Sequence, residues 1–164
     1  MMERIGEFLP FMLEGSVTTV QVFVITLVLS LPLGLPLALG SNSRFKPLSF
    51  LCKIYIWIFR GTPLMLQLWF FYFFFPFYFD ITLDAFTTAI VTYVLNYAAY
   101  FAEIYRGGIN SIDKGQYEAA YALGLSNRQT LFDIILPQTM KATLPPIVNE
   151  AITLVKDTAL VSAL

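Results

Sequence analysis

Residues 15–43 read GSVTTVQVFVITLVLSLPLGLPLALGSNS, between Glu14 and Arg44. The run holds 29 residues and no charge. As a helix it would reach about 43 Å, against a hydrocarbon core of about 30 Å, so it can cross a bilayer with tilt. Pro32 and Pro36 fall in its second half and are expected to kink or fray it. It does not read as a removable leader. The apolar run is too long, and the segment before it (Glu3, Arg4, Glu7, Glu14) is acidic on balance rather than basic.

Composition agrees with that reading. Of 164 residues, 57% are hydrophobic and 13% charged, about half the charge of an ordinary soluble domain. That leaves too little polar surface for a water-soluble globule, and it excludes disorder, which needs low hydrophobicity and high charge. A net charge of −1 gives no basic footprint for nucleic acid. Cys52 is the single cysteine, so no internal disulfide or thiolate metal site exists, and it reads as an inert apolar residue. Without histidine the usual general base is also missing, which disfavours a membrane-embedded enzyme. The chain is read as an all-α integral membrane protein, one domain over residues 1–164.

Spans are expected at about 15–40, 50–79, 84–105 and 140–162, joined by a polar segment over 106–136. The second contains the charge-free run Gly61–Phe79, dense in Phe, Tyr, Trp and Leu, which is expected to face lipid or other spans. The fourth carries Glu150, Lys156 and Asp157 and is the weakest by hydropathy. Arg44, Lys46, Lys53 and Arg60 lie between spans one and two, and Arg106, Lys114, Arg128 and Lys141 between three and four. The turn between spans two and three has only Asp80 and Asp84. The positive-inside rule therefore puts 41–60 and 106–141 in the cytosol and the N-terminus outside.

The 106–136 segment holds two helix signatures in series. Asp113 is expected to cap the first helix, with Gln116 reaching back in a capping box. Gly124 supplies a left-handed stop. Ser126 with Gln129 repeats the box for a second helix, expected to end at Leu136 before Pro137. The small face of Ala119, Ala120 and Ala122 allows another surface to approach closely. On periodicity alone, two readings stand: amphipathic helices lying on lipid headgroups, and a docking element for a cytosolic partner.

A charge at membrane depth costs about 2.5–3.5 kcal/mol on insertion scales, so such residues face partners, water or a solute; the candidates are Glu103, Glu150, Lys156 and Asp157, with Asn96, Tyr100 and Asn149 as neutral partners. Asn96, Tyr100 and Glu103 are spaced by four and three and share a helical face. Asn149 and Lys156 share a face of the fourth span, with Asp157 about 100° round from Lys156. These faces are read as lining a polar pathway. The plainer alternative is internal pairing: Lys156 with Asp157, and Glu103 with Arg106. Arg60 to Pro63 reads either as an anchor and helix-shaping element or as a gate or a contact for a cytosolic partner.

Several of these residues carry a family resemblance. Gly115-Gln116-Tyr117-Glu118-Ala119-Ala120, Gly124 eight residues after Gln116, and Ile135-Leu136-Pro137-Gln138 resemble the cytoplasmic "EAA" loop of bacterial ATP-binding-cassette (ABC) importer permeases. Arg60-Gly61-Thr62-Pro63-Leu64 with Gln67, and the run from Ala99 to Ile109, resemble motifs of the polar amino-acid permeases, of the histidine, glutamine and arginine type. Asn149 and Lys156-Asp157-Thr158-Ala159-Leu160 are similar to the family's fourth span, except that Ala159 stands where the family usually has serine.

The resemblance implies a type I ABC importer permease fold of five spans. About four are expected here, so the sequence is expected to be short of a full permease at its C-terminus. It implies a bacterial cytoplasmic-membrane location and a transport rather than an enzymatic role. Gly115, Gln116, Glu118, Ala119, Ala120 and Gly124 would couple to an ATPase subunit that binds ATP and Mg. This chain has no phosphate-binding loop of its own and is expected to bind no cofactor. The other implied partners are a second permease copy or a paralogue, an extracytoplasmic substrate-binding protein, membrane lipid and a polar or charged amino acid. The substrate pathway would hold Asn96, Tyr100, Glu103, Asn149, Lys156, Asp157 and Thr158, with Lys156 meeting the carboxylate of a zwitterionic substrate and Asp157 or Glu103 its ammonium or a cationic side chain. The competing reading is a membrane channel or scaffold with lipid-surface helices and no ATPase partner.

Overall fold

The computed structural model describes the backbone of residues 2–163 and the side chains of residues 10–162. Glu3, Arg4 and Glu7, used above to exclude a leader, lie outside the described side chains. Every regular element described is helical.

Helix α1 (Met2–Ser41) runs unbroken through Pro10, Pro32 and Pro36. The expected fraying is not seen. Pro32 and Pro36 lie on the exposed face, while Val22, Thr26, Ser30, Gly34 and Ala38, each four residues from the last, form a buried stripe of mostly small residues. Small residues let two helix backbones approach closely. The partner backbone is α4 (Ala85–Asn110). A Cβ added at Gly34 would stand 2.8 Å from Phe101 Cβ and 3.0 Å from the Ala102 nitrogen, so only glycine fits. Val22, Tyr93, Tyr97, Phe101, Leu68 and Leu154 form the main core.

The second span is not one rod. Helices α2 (Lys46–Gly61) and α3 (Leu64–Phe79) meet at 106°. The cause is Pro63, whose ring biases the residue before it to extended backbone. Thr62 accordingly sits at φ −116° and ψ 143°, and Pro63 itself at φ −62° and ψ 134°. Within α3 the stretch Phe70–Phe74 widens into a π-helix. Phe73, Phe77 and Phe79 are exposed, in keeping with a lipid-facing or span-facing surface.

Asp84 caps α4. Its carboxylate accepts from the Thr87 nitrogen at 3.0 Å and the Thr87 hydroxyl at 2.6 Å. These bonds to the charged form hold its pKa below the ordinary carboxylate value.

Helix α5 (Lys114–Ala122) starts at Asp113, which accepts from the Gly115 nitrogen at 2.6 Å. The expected box with Gln116 does not form, because the Gln116 side chain instead accepts from Gln138 at 3.1 Å. At the other end Leu125 N–H bonds Ala120 O and Gly124 N–H bonds Tyr121 O, a Schellman stop with Gly124 at φ +75°.

Helix α6 (127–157) opens on the Ser126/Gln129 capping box. It does not end before Pro137. A π-helical stretch, Thr130–Ile135, precedes Leu136–Asp157, and the Leu136 N–H bonds Leu131 O, five residues back. The wider turn makes room for the proline ring, which would crowd the carbonyl four residues back in a regular helix. The chain then continues as the 3-10 turn Thr158–Ala163.

Two helices are long and apolar enough to cross a membrane, Pro10–Ser41 and Ala85–Asn110, and the bent α2–α3 pair makes a third if taken as one span. Helix α6, with its four charges from Lys141 to Asp157, does not reach that threshold.

Candidate functional site

The α2–α3 break is the centre of the site. In a helix the Phe59 carbonyl would accept from the N–H of residue 63, and Pro63 has none. Two buried carboxamides replace it. Asn96 Nδ2 donates to Phe59 O at 2.9 Å, and Gln67 Nε2 donates to the same oxygen at 2.9 Å. Asn96 also donates to Gln67 Oε1 at 3.0 Å, and Gln67 reaches Thr62 Oγ1 at 2.7 Å.

Beside the break lies a cavity of about 380 Å³, walled by residues 60–64, by Asn96, Tyr97 and Tyr100 from α4, and by Glu150, Thr153 and Asp157 from α6. It holds one guanidinium and two carboxylates. Asp157 is fixed by two tyrosines: Tyr97 OH donates to Asp157 Oδ2 and Tyr93 OH to Asp157 O, both at 2.6 Å. The Arg60 guanidinium carbon stands 5.2 Å from the Tyr100 ring centroid.

The residues assigned to the pathway from the sequence separate into four groups. Asn96, Tyr100 and Asp157 converge on this cavity. Glu103 lies in an adjoining cavity of about 520 Å³ that is also lined by Lys53, Arg60 and Arg106. There it pairs with Arg106, whose Nε is 2.9 Å from Glu103 Oε2, and with Arg60 at 3.9 Å. Asn149 and Lys156 lie exposed on α6, outside both cavities. Thr158 is buried and bonds back to Val155 O at 2.7 Å.

Arg60, read from the sequence as an anchor, a gate or a contact for a cytosolic partner, lines this cavity together with Glu150, one of the charged candidates at membrane depth, whereas Tyr97 and Thr153 were missed. Glu150, Thr153 and Asp157 are spaced by three and four, the spacing that marked Asn96, Tyr100 and Glu103, so the signal was present in the sequence.

At the α5–α6 elbow, Gly115, Gln116, Glu118, Ala119 and Gly124 are exposed. Ala120 is not part of an open small face. It is fully buried against the chain itself, leaving Ala119 and Ala122 exposed. Tyr121 and Leu123 stand 54% and 79% exposed beside the glycine stop, an apolar tip on an otherwise polar turn.

The comparisons agree with this architecture. Residues 30–164 match the family described as "binding-protein-dependent transport system inner membrane component". The chain is 45% identical to the arginine transport system permease protein ArtQ of Bacillus subtilis (strain 168), over 95% of this chain and 71% of that one. It is 38% identical to a putative glutamine transport system permease protein GlnP of Rickettsia felis, over 100% of this chain and 77% of that one. A solved structure, described as the crystal structure of an amino acid ABC transporter with histidines, superimposes with a TM-score of 0.90 at 34% identity, covering 98% of this chain and 74% of that one. The fold is that of a type I ABC importer permease, and the chain belongs to the family of binding-protein-dependent transport system inner membrane components.

Proposed function

We propose that this chain is the transmembrane subunit of an ABC importer that moves polar or charged amino acids across the bacterial cytoplasmic membrane, its N-terminus outside. The observation that carries the reading is the cavity at the helix break, where Arg60, Glu150 and Asp157 bring both signs of charge together beside α4. A zwitterion needs both signs, and an apolar solute needs neither. Family membership supports the direction of transport and the assembly: a second permease copy or paralogue, ATPase subunits, and an extracytoplasmic binding protein.

Asp157 and Glu150 receive the ammonium group or a cationic side chain. The carboxylate meets Arg60, which lines the same cavity, and Lys156, exposed outside it and without an ion-pair partner among the described residues, takes the carboxylate as the substrate enters or leaves. Asn96 holds the break in shape, and Tyr100 supports Arg60. ATP and Mg act on the ATPase subunit. That subunit receives the α5–α6 elbow, whose exposed Tyr121 and Leu123 give it an apolar tip to bury.

The test is uptake by the complex reconstituted in liposomes with its ATPase subunits and binding protein. ATP-dependent accumulation of a labelled polar amino acid is expected. Flux indifferent to nucleotide, or failure of the ATPase to co-purify through residues 115–126, would favour a channel or scaffold instead.

A further inference from the structure

Arg60 is the charged side chain common to both cavities, and they differ in sign. Apart from Arg60, the cavity at the break holds Glu150 and Asp157 and no cation. The adjoining one holds Lys53 and Arg106 against Glu103 alone. Arg60 stands at the last turn of α2, one residue before the break, so the backbone bend fixes where its side chain begins. Two contacts then hold the guanidinium on the boundary: the Tyr100 ring, 5.2 Å away, and Glu103, 3.9 Å away. Lys53 lies seven residues earlier, two helical turns along the same face of α2, and so extends the positive charge away from the break. Ser41, at the α1–α2 turn, lines that second cavity too. In the proposed orientation this turn faces the cytosol.

A chamber with two carboxylates concentrates cations, and the membrane potential drives them inward. A fixed guanidinium at a constriction raises the energy of any small cation there, as positive groups do in pores that exclude protons. A zwitterion carries a carboxylate that offsets this barrier, and a bare sodium, potassium or hydronium ion does not. We propose that Arg60, backed by Lys53 and Arg106, is an electrostatic barrier that keeps inorganic cations from following the amino acid through the permease. The inference rests on the transport reading above.

The experiment uses the reconstituted complex under an imposed potassium diffusion potential, with a trapped pH dye and a sodium dye reporting leak, and amino-acid uptake measured in parallel. Arg60→Gln should raise cation leak by about tenfold to a hundredfold, the factor for a unit charge removed at about 6 Å in an effective dielectric of about 20 to 40. Arg60→Lys should stay near wild type. Should Arg60→Gln fail to assemble, Arg60→Cys in a Cys52→Ala background is labelled after reconstitution. A cationic thiosulfonate should lower its leak and an anionic one raise it. Leak that ignores the charge at position 60 in either format overturns the barrier. If the wild type takes up no amino acid, the transport reading falls instead, while a charge-dependent leak would still establish the barrier.

Discussion

The carboxamide nitrogen of Asn96 stands 2.9 Å from the main-chain oxygen of Phe59, four residues before Pro63. The proline removes a donor, and a side chain from another helix supplies one. An unpaired carbonyl inside a bilayer is costly, so a broken helix persists there only where its freed groups are satisfied. This bond and its Gln67 counterpart make the bend a fixed feature, and the bend shapes the cavity.

Replacing Asn96 with Leu should therefore destabilise the fold by about 1–3 kcal/mol, because Gln67 Oε1 loses its donor and Phe59 O is left with Gln67 alone. Thermal unfolding in detergent reads this directly. Pro63→Ala restores an N–H that can serve Phe59 O once the chain straightens through Thr62, extended at ψ 143° in this structure, so the double variant should lose less than Asn96→Leu alone. Strict additivity would show that the carbonyl is not what Asn96 serves.

Gly34 lies against the backbone of α4, while a Cβ at Gly15 would meet nothing within 4 Å. Gly34→Ala should cost about 1–3 kcal/mol through overpacking. Gly15→Ala should be neutral or slightly stabilising, since alanine is the better helix former by about 1 kcal/mol. Equal melting temperatures for the two variants would contradict the close α1–α4 approach.

At the elbow, Gly124 has φ +75°. A Cβ in the left-handed region costs about 1–2 kcal/mol. Gly124→Ala should re-aim the start of α6 and reduce uptake per ATP hydrolysed, with membrane insertion intact. Gly124→Asn should keep more of the coupling, because asparagine tolerates this backbone. The ratio of uptake to phosphate release measures it, and an unchanged ratio in Gly124→Ala would remove the elbow from the coupling path.

Asp157→Asn keeps an oxygen for Tyr97 to donate to and removes the charge. Uptake of a cationic amino acid should fall by about tenfold or more, as expected when a charge-assisted hydrogen bond is lost. Lys156→Gln should raise KM for substrates with a free carboxylate and leave amidated analogues unaffected. A parallel rise for both would take Lys156 out of substrate binding.

The Asp84 cap predicts a pH effect. Its pKa is depressed in the fold by the two Thr87 bonds. Stability from this source is full above the ordinary carboxylate value and is lost as pH falls through the lower folded value. Asp84→Asn can still cap but cannot titrate, so its melting temperature should fall less between pH 6 and pH 3 than that of the wild type, with pH values chosen to bracket the carboxylate range at about 4.

Membrane class was legible because it depends on summed hydropathy, which neighbours do not alter. The caps at Asp84, Ser126 and Gly124 involve residues within five positions of one another, and the two that were anticipated, Ser126 and Gly124, formed as local chemistry dictates. Tertiary structure decided what happens to groups that local chemistry leaves over. Pro63 announces a break, but only packing provides Asn96 and Gln67 to satisfy it. Gln116 could have closed a box with Asp113, yet Gln138 on another helix competes for its oxygen. Asp157 faces the cavity while Lys156 does not, because α6 turns about 100° per residue and α4 covers only one side of it. Periodicity says which residues share a face; which face meets another helix is fixed by the burial of the whole bundle.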